Sequence, residues 1–355
     1  MSVLHGSVRM MDVTSVQQRL VDELIAVDDF PAFPRGLADD LRSDLERRLA
    51  PAAALLGEDR QLWITKARLV DLHTRCEGLY LANVLGEEAF EYSSQLALGS
   101  VVHRAVEIGV YRSTLSEAEL VDRSIELLRR DDERFDGFLG LLGEGEAAEL
   151  EAEAVRRVVL FRSTFPPLPK SWAPVVELPL KAILADGRVT VSVRPDISLG
   201  TSDPDDPTRA RRLLIELKTG AERPEHDEDV RLYALAATLR FGVPPYRVAT
   251  VNLDAGSWRA QDVTQDLLGG AMRRLADGCQ RAAELLTGEE PSLRPGAFSP
   301  RSNHFTASLG MPFSMKQIPS MLLHSRSRVS SLAASWNSAM ASSSSPISLY
   351  AMPRL

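Results

Sequence analysis

A mixed α/β core with helical additions is the fold class this sequence predicts, and three observations predict it. Apolar residues recur at helical spacing before residue 60 and again from 115 to 163. Between residues 175 and 218 the apolar period shortens to two, the spacing of half-buried strands. Beyond Lys218 a helical stretch, a strand-like stretch and a second helical stretch follow in turn. The chain has 355 residues, 44% hydrophobic and 25% charged, enough for at least one full core, and its length permits two or three domains.

Taken in order, residues 1–62 form an N-terminal helical segment. Its clearest stretch is Leu37-Ala-Asp-Asp-Leu-Arg-Ser-Asp-Leu-Glu-Arg-Arg-Leu, which carries no evident site. The main domain is expected over 63–296. Within it, Leu98-Gly-Ser-Val-Val-His-Arg-Ala-Val-Glu-Ile-Gly reads as a Gly-Ser start followed by a short helix, which would set His103 and Glu107 on one face. Residues 115–163 read as further helix, closed by the Pro-rich run Phe165-Pro-Pro-Leu-Pro-Lys. Val175–Ala185 and Arg188–Leu199 read as strands joined at the turn pair Asp186-Gly187, and Leu213–Lys218 as a third strand. A helix from about Asp227 to Phe241 and a strand from Tyr246 to Leu253 come next. Thr264 then caps a long amphipathic helix whose stripe runs Leu268, Met272, Leu275, Cys279, Ala282. From Pro291 to Leu355 there is no Asp or Glu, and Ser is abundant. That leaves two readings of residues 297–355, a disordered basic Ser-rich tail or translation in a shifted frame, and neither assigns it a function.

The formal net charge of −8 argues against a protein that holds nucleic acid by charge alone. A nuclease needs only a local basic groove, for which Arg209, Arg211 and Arg212 are candidates; a solvated Asp/Arg loop explains those three equally well. Two cysteines, Cys76 and Cys279, cannot build a disulfide framework and suit a reducing compartment. The opening MSVLHGSVRMMDVTS lacks the apolar core of a signal peptide, and no stretch approaches the length of a membrane span, so the expected location is cytoplasmic.

The chemistry concentrates on two strands. In Arg188-Val-Thr-Val-Ser-Val-Arg-Pro-Asp-Ile-Ser-Leu the odd positions are apolar, which places Asp196 on the face away from the core. In the next strand Leu213, Ile215 and Leu217 form the apolar row, leaving Glu216 and Lys218 together on the opposite face. Pairing of these strands would converge two carboxylates and an ammonium. Asp196 and Glu216 could supply the one or two carboxylates that Mg²⁺ takes, and Lys218 could orient a water or neutralise charge on a phosphate. Lysine is scarce here, five among 41 basic residues, which makes a chance lysine at this position less expected. A polar cross-strand charge pair on a solvated face is the plain alternative.

These residues resemble the PD-(D/E)XK nuclease superfamily, and within it the RecB-like exonuclease group. Pro195-Asp196 matches the strand Asp. Glu216-Leu217-Lys218 followed by Thr219-Gly220 matches the Glu-X-Lys strand, and Gly99-Ser-Val-Val-His103 matches the upstream helical histidine. The resemblance spans roughly residues 66 to 296. It implies a restriction-endonuclease-like mixed sheet core flanked by helices, and a metal-dependent DNA nuclease using Mg²⁺ or Mn²⁺ in DNA repair or recombination. DNA would be its partner, and any unwinding would come from a helicase subunit, since no helicase motif is present. The same resemblance implies a metal held by His103, Asp196, Glu216 and the backbone carbonyl of Leu217, with Lys218 and Tyr233 as further catalytic residues. Glu107 is expected to orient or pair rather than ligate. Where the group carries Gln-X-X-X-Tyr, this chain has Asp229-Val-Arg-Leu-Tyr233, so Tyr233 carries over and Asp229 only weakly. Several relatives bind an iron-sulfur cluster through four cysteines. Only Cys76 has a counterpart here, so the cluster is not expected in this chain. A non-catalytic nuclease-fold protein that binds DNA or a helicase-nuclease partner is the alternative function. Residue by residue, His103 could instead be a helix-surface histidine, Tyr233 a core aromatic and Cys76 a buried thiol.

Overall fold

The period-two segments do form strands, but each of the first two is broken once, and the breaks lie side by side. In the computed structural model the described residues are 13–86, 91–223, 225–288 and 293. The first hairpin pairs β2 (Val175–Val176) and β3 (Leu180–Leu184) with β5 (Ile197–Leu199) and β4 (Val189–Val193). Val176 opposes Ile197 and Leu180 opposes Val193, so one antiparallel register runs through both halves. It reverses at Ala185, Asp186 and Gly187, all with positive φ. The interruption falls where Pro179 and Pro195 sit, residues that have no N–H to give a ladder.

At that interruption the chain passes from one sheet to another. β4 and β3 join β1 (Leu62–Ile64) in the order β1-β4-β3. β5 enters a five-stranded sheet, β2-β5-β6-β7-β8, with β6 (Leu213–Lys218), β7 (Arg247–Asn252) and β8 (Ser257–Asp262). β6 and β7 are parallel, joined through helix α9 (Glu225–Phe241), and the other neighbours in this sheet are antiparallel. β1 and β8 are not anticipated by the periodicity, whereas β2 and β3 both lie inside the expected strand Val175–Ala185. β1 is too short for a pattern to emerge, and β8 (Ser-Trp-Arg-Ala-Gln-Asp) is an edge strand with little apolar content.

Helices cover both faces of the larger sheet. Leu214 and Val248 meet α2 (Leu37–Leu56), α9 and α10 (Gln265–Thr287) in one core. Ile197, Leu199, Leu213, Ile215, Leu217, Ala249 and Val251 meet α5 (Ser94–Tyr111), α6 (Glu117–Asp131) and α8 (Glu144–Thr164) in the other. This corrects the expectation that Asp196, Glu216 and Lys218 share a face away from the core. The alternation is real, yet Asp196 and Glu216 are buried, because α9 crosses back over that face to join two parallel strands. Val189, Val191 and Val193 also face the first core whereas Ile197 and Leu199 face the second, so the apolar row read as continuous changes layer at the break.

The remaining helices follow local signals. α1 (Ser15–Leu20) is capped by Thr14 and continues as a π turn to Ile25. α3 (Lys66–His73) starts at Thr65, whose hydroxyl accepts from the Arg68 N–H, and α4 (Glu77–Leu85) starts at Cys76. The run read as helix from 115 to 163 is three helices, α6, α7 (Glu133–Leu141) and α8, divided at Asp132, which caps α7, and at Gly143. α5 begins at Ser94 with Ser93 as its cap, so Gly99 and Ser100 lie inside the helix rather than at its start. The expected stripe on α10 is buried in full. All described residues belong to one compact unit, and no helix among them is long and apolar enough to cross a membrane. The readings of residues 297–355, and of the first twelve residues, lie outside the described residues.

Gly200 fixes the approach of β5 to β6. Its φ is +82°, and a Cβ there would stand 1.9 Å from the Arg211 carbonyl oxygen. Gly200→Ala is therefore expected to lower stability by about 3 kcal/mol or more, read as the shift in urea midpoint. An unchanged midpoint would show that the close approach is not needed.

Candidate metal centre and lysine pair

Registers alone bring three carboxylates into a row. Continuing the hairpin pairing through its interruption sets Glu177 opposite Asp196, and the Glu177 N–H donates to the Asp196 carbonyl at 3.0 Å. Continuing the β5–β6 pairing by one residue sets Asp196 opposite Glu216. Glu177 holds a φ of +51°, a left-handed conformation that a non-glycine residue adopts at a cost of about 1–2 kcal/mol.

Asp196 immediately precedes β5 and continues its edge toward β6. Its Oδ2 accepts the Leu217 N–H at 2.6 Å, replacing a ladder partner, and its Oδ1 lies 3.0 Å from His103 Nδ1. In an extended strand a residue's carbonyl faces the same edge as its N–H, so the Leu217 carbonyl is directed toward this edge too. His103 projects from α5. Burial pulls its pKa down, but the Asp196 carboxylate outweighs this and raises it above the usual histidine value. Donor atoms of His103, Glu177 and Asp196 lie within 4.8 Å of one another. Burial first, and then Asp196, push the Glu177 carboxyl up to about 7.

Glu216 is held by a different set. Its Oε1 accepts from Lys218 Nζ at 2.8 Å and from Lys66 Nζ, and its Oε2 accepts from the Tyr233 hydroxyl at 2.6 Å. Lys66 also donates to the Tyr233 oxygen at 2.8 Å. Burial alone would raise the Glu216 pKa; the two ammoniums reverse this and hold it at about 2. Lys218 donates to Asp229 Oδ2 at 3.0 Å as well. Burial opposes its charge, but Glu216 and then Asp229 push its pKa well above the ordinary lysine value. An Asp at 229 thus supplies a negative partner that a Gln could not.

Two residues of this cluster are not found from sequence reasoning, Glu177 and Lys66. Glu177 has a signal in principle, since counting back from the Asp186-Gly187 turn places it across from Asp196. Lys66 has only the rarity of lysine to mark it, because nothing local shows that the first residue of α3 points at β6. Other expected residues lie elsewhere. Glu107 pairs with Arg104 at 2.8 Å. Arg209, Arg211 and Arg212 precede β6, at the end opposite Lys218, and are engaged by Asp29 and Asp206, by Asp203, and by the Gly200 carbonyl and the Phe241 ring respectively. They form no groove beside the carboxylates. Cys76 is a half-buried free thiol, and Cys279 is buried in the core, which pushes its pKa up to about 12.

No protein-family model matches the chain, and no curated protein matches it. Among solved structures it is similar to a provisionally named exonuclease from Eubacterium rectale, at 12% identity and a TM-score of 0.42, over 74% of this chain and 92% of that one. It is also similar to the protein SSO0001, at 12% identity and a TM-score of 0.28, over 78% of this chain and 96% of that one. Likeness at this level carries no functional assignment. The chemistry of the site must stand on its own geometry.

Removing the Tyr233 hydroxyl would leave Glu216 Oε2 buried without its donor. Tyr233→Phe is expected to cost about 2 kcal/mol of stability at neutral pH, measured by denaturant unfolding. A change below about 0.5 kcal/mol would show that water or another donor takes its place.

Proposed function

We propose that this chain is a divalent-metal-dependent nuclease that hydrolyses phosphodiester bonds in DNA, in repair or recombination. The observation that carries the reading is the cross-strand row Glu177, Asp196, Glu216 with Lys218 two residues beyond on the same strand face. The charges in this buried region support it. Four carboxylates, Glu177, Asp196, Glu216 and Asp229, face two ammoniums, Lys66 and Lys218, and a histidine. Fully ionised, the cluster lacks positive charge, and a hard divalent cation is what oxygen donors plus an imidazole suit.

His103, Asp196 and Glu177 would hold such a cation, with Glu216 and the Leu217 carbonyl adjoining them. When bound, the ion would neutralise a phosphate oxygen and acidify a water. The protein's own groups have separable tasks. Lys218, kept charged between Glu216 and Asp229, acts as a fixed hydrogen-bond donor toward a phosphate oxygen or the attacking water rather than as a base. Tyr233, whose pKa is raised well above the usual value by burial and by Glu216, stays protonated and fixes the Glu216 carboxylate. Asp196 orients His103, as carboxylate partners of ligating histidines do. The choice of DNA rests on the motif resemblance, since the site chemistry would suit any phosphodiester.

The test uses the full chain with linear and circular DNA. Cleavage is expected with Mn²⁺ or Mg²⁺, abolished by a chelator and restored by added metal. Asp196→Asn and Lys218→Gln should each lower the rate by about 100-fold or more. Cleavage that persists equally in both variants would overturn the assignment. Metal-free DNA binding without cleavage would support the non-catalytic alternative instead.

A further inference from the structure

We propose that Lys66 is a resident counter-cation for Glu216, which a divalent ion displaces when it binds. The inference rests on the metal-binding part of the function proposed above. The two ammoniums on Glu216 are held unequally. Lys218 belongs to β6, has two carboxylate partners and is 18% exposed at its side chain. Lys66 is the first residue of α3, has one carboxylate partner, and remains 35% exposed at its side chain. Its other bond goes to a neutral phenol, with the ammonium 5.5 Å from the Tyr233 ring centre.

Glu216 cannot stand unpaired. Its side chain is almost wholly withdrawn from water, and an uncompensated carboxylate there would be strongly destabilising. Lys66 and Lys218 together offset that cost, and Lys66 does so on Oε1, the oxygen that Lys218 also holds. A dication near Asp196 raises the positive charge around that oxygen and makes the second ammonium redundant. Lys66 has somewhere to go. Its flexible stem borders a cleft walled by Leu69, Glu228, Asp229 and Arg274, where Glu228, shared by Arg231 and Arg274, lies beside Asp229, which holds Lys218. Lys218, fixed by its strand and by Asp229, stays.

This makes Lys66 a positioning residue with a distinctive sign of effect. A merely structural lysine would weaken ion binding when removed, whereas a competitor would strengthen it. If Lys66 occupies Glu216 in nine molecules of ten, freeing the carboxylate raises apparent affinity about tenfold. Mn²⁺ is titrated calorimetrically into the metal-free full chain of wild type, Lys66→Met, Lys66→Gln, Lys66→Arg and Asp196→Asn. The expected result is tighter binding in Lys66→Met and Lys66→Gln by about tenfold, near wild-type affinity in Lys66→Arg, and loss of binding in Asp196→Asn. The neutral variants should also lower the thermal midpoint of the metal-free protein and recover it with Mn²⁺. Equal or weaker affinity in both folded neutral variants overturns the inference while leaving the nuclease reading intact. Mn²⁺ binding that depends on Asp196 but produces no DNA cleavage overturns the nuclease reading and leaves the comparison of Lys66 variants valid. No Mn²⁺ binding by any of the proteins overturns this inference together with the metal site.

Discussion

Glu216 sits where a carboxylate is hardest to keep. It lies on a central strand, with a core layer on either side of the sheet, and only 1% of its surface is exposed. Burial of that kind ordinarily drives the group to take up a proton. Here two ammoniums and a phenol oppose it, and each comes from a different element: Lys218 from β6 itself, Tyr233 from α9, Lys66 from α3. The demand therefore propagates outward. The crossover helix must return close over β6, and α3 must start where β1 has just ended. The buried ion cluster is a constraint on architecture as much as a candidate for chemistry.

The second constraint is the interrupted hairpin. An antiparallel pair without prolines would continue its ladder through residues 177–179 and 194–196. With Pro179 and Pro195 the ladder fails, the two halves enter different sheets, and Glu177 and Asp196 face each other at the junction. The Leu217 N–H, deprived of a strand partner, is taken by the Asp196 side chain. Losing a regular ladder bond here draws one Asp196 oxygen onto the backbone, and His103 arrives from α5 to meet the other. Residues held in unusual backbone conformations often cluster at working sites, and Glu177 with its positive φ fits that pattern.

Much of the site was legible in sequence because its members obey short-range rules. Glu216 and Lys218 must share a strand face whatever surrounds the strand, and Asp196 must fall on the even parity of its own segment. Asp229 and Tyr233 are one helical turn apart in any helix. Glu177 is not legible from the apolar period, because that period runs on as one row through the hairpin and gives no sign of the break beside which Glu177 sits. Lys66 is not legible either, because its partner lies 150 residues away and no periodicity connects them. Arg209, Arg211 and Arg212 show the converse: composition gives their charge but not the carboxylates, carbonyl and ring that already engage it.

By itself, then, the sequence determined the mixed α/β class, the strand carrying Glu-X-Lys, the helix capped by Thr264 and Asp196, Glu216 and His103 as candidate ligands for a hard cation, all consequences of period, capping and side-chain chemistry. Only the tertiary structure decided that the charged face is buried, that the hairpin changes sheets at its prolines, and that Glu177 and Lys66 complete the cluster. The physical reason is that burial and charge compensation depend on which distant segments close over a strand, and that is fixed by the folding of the whole chain rather than by any local window.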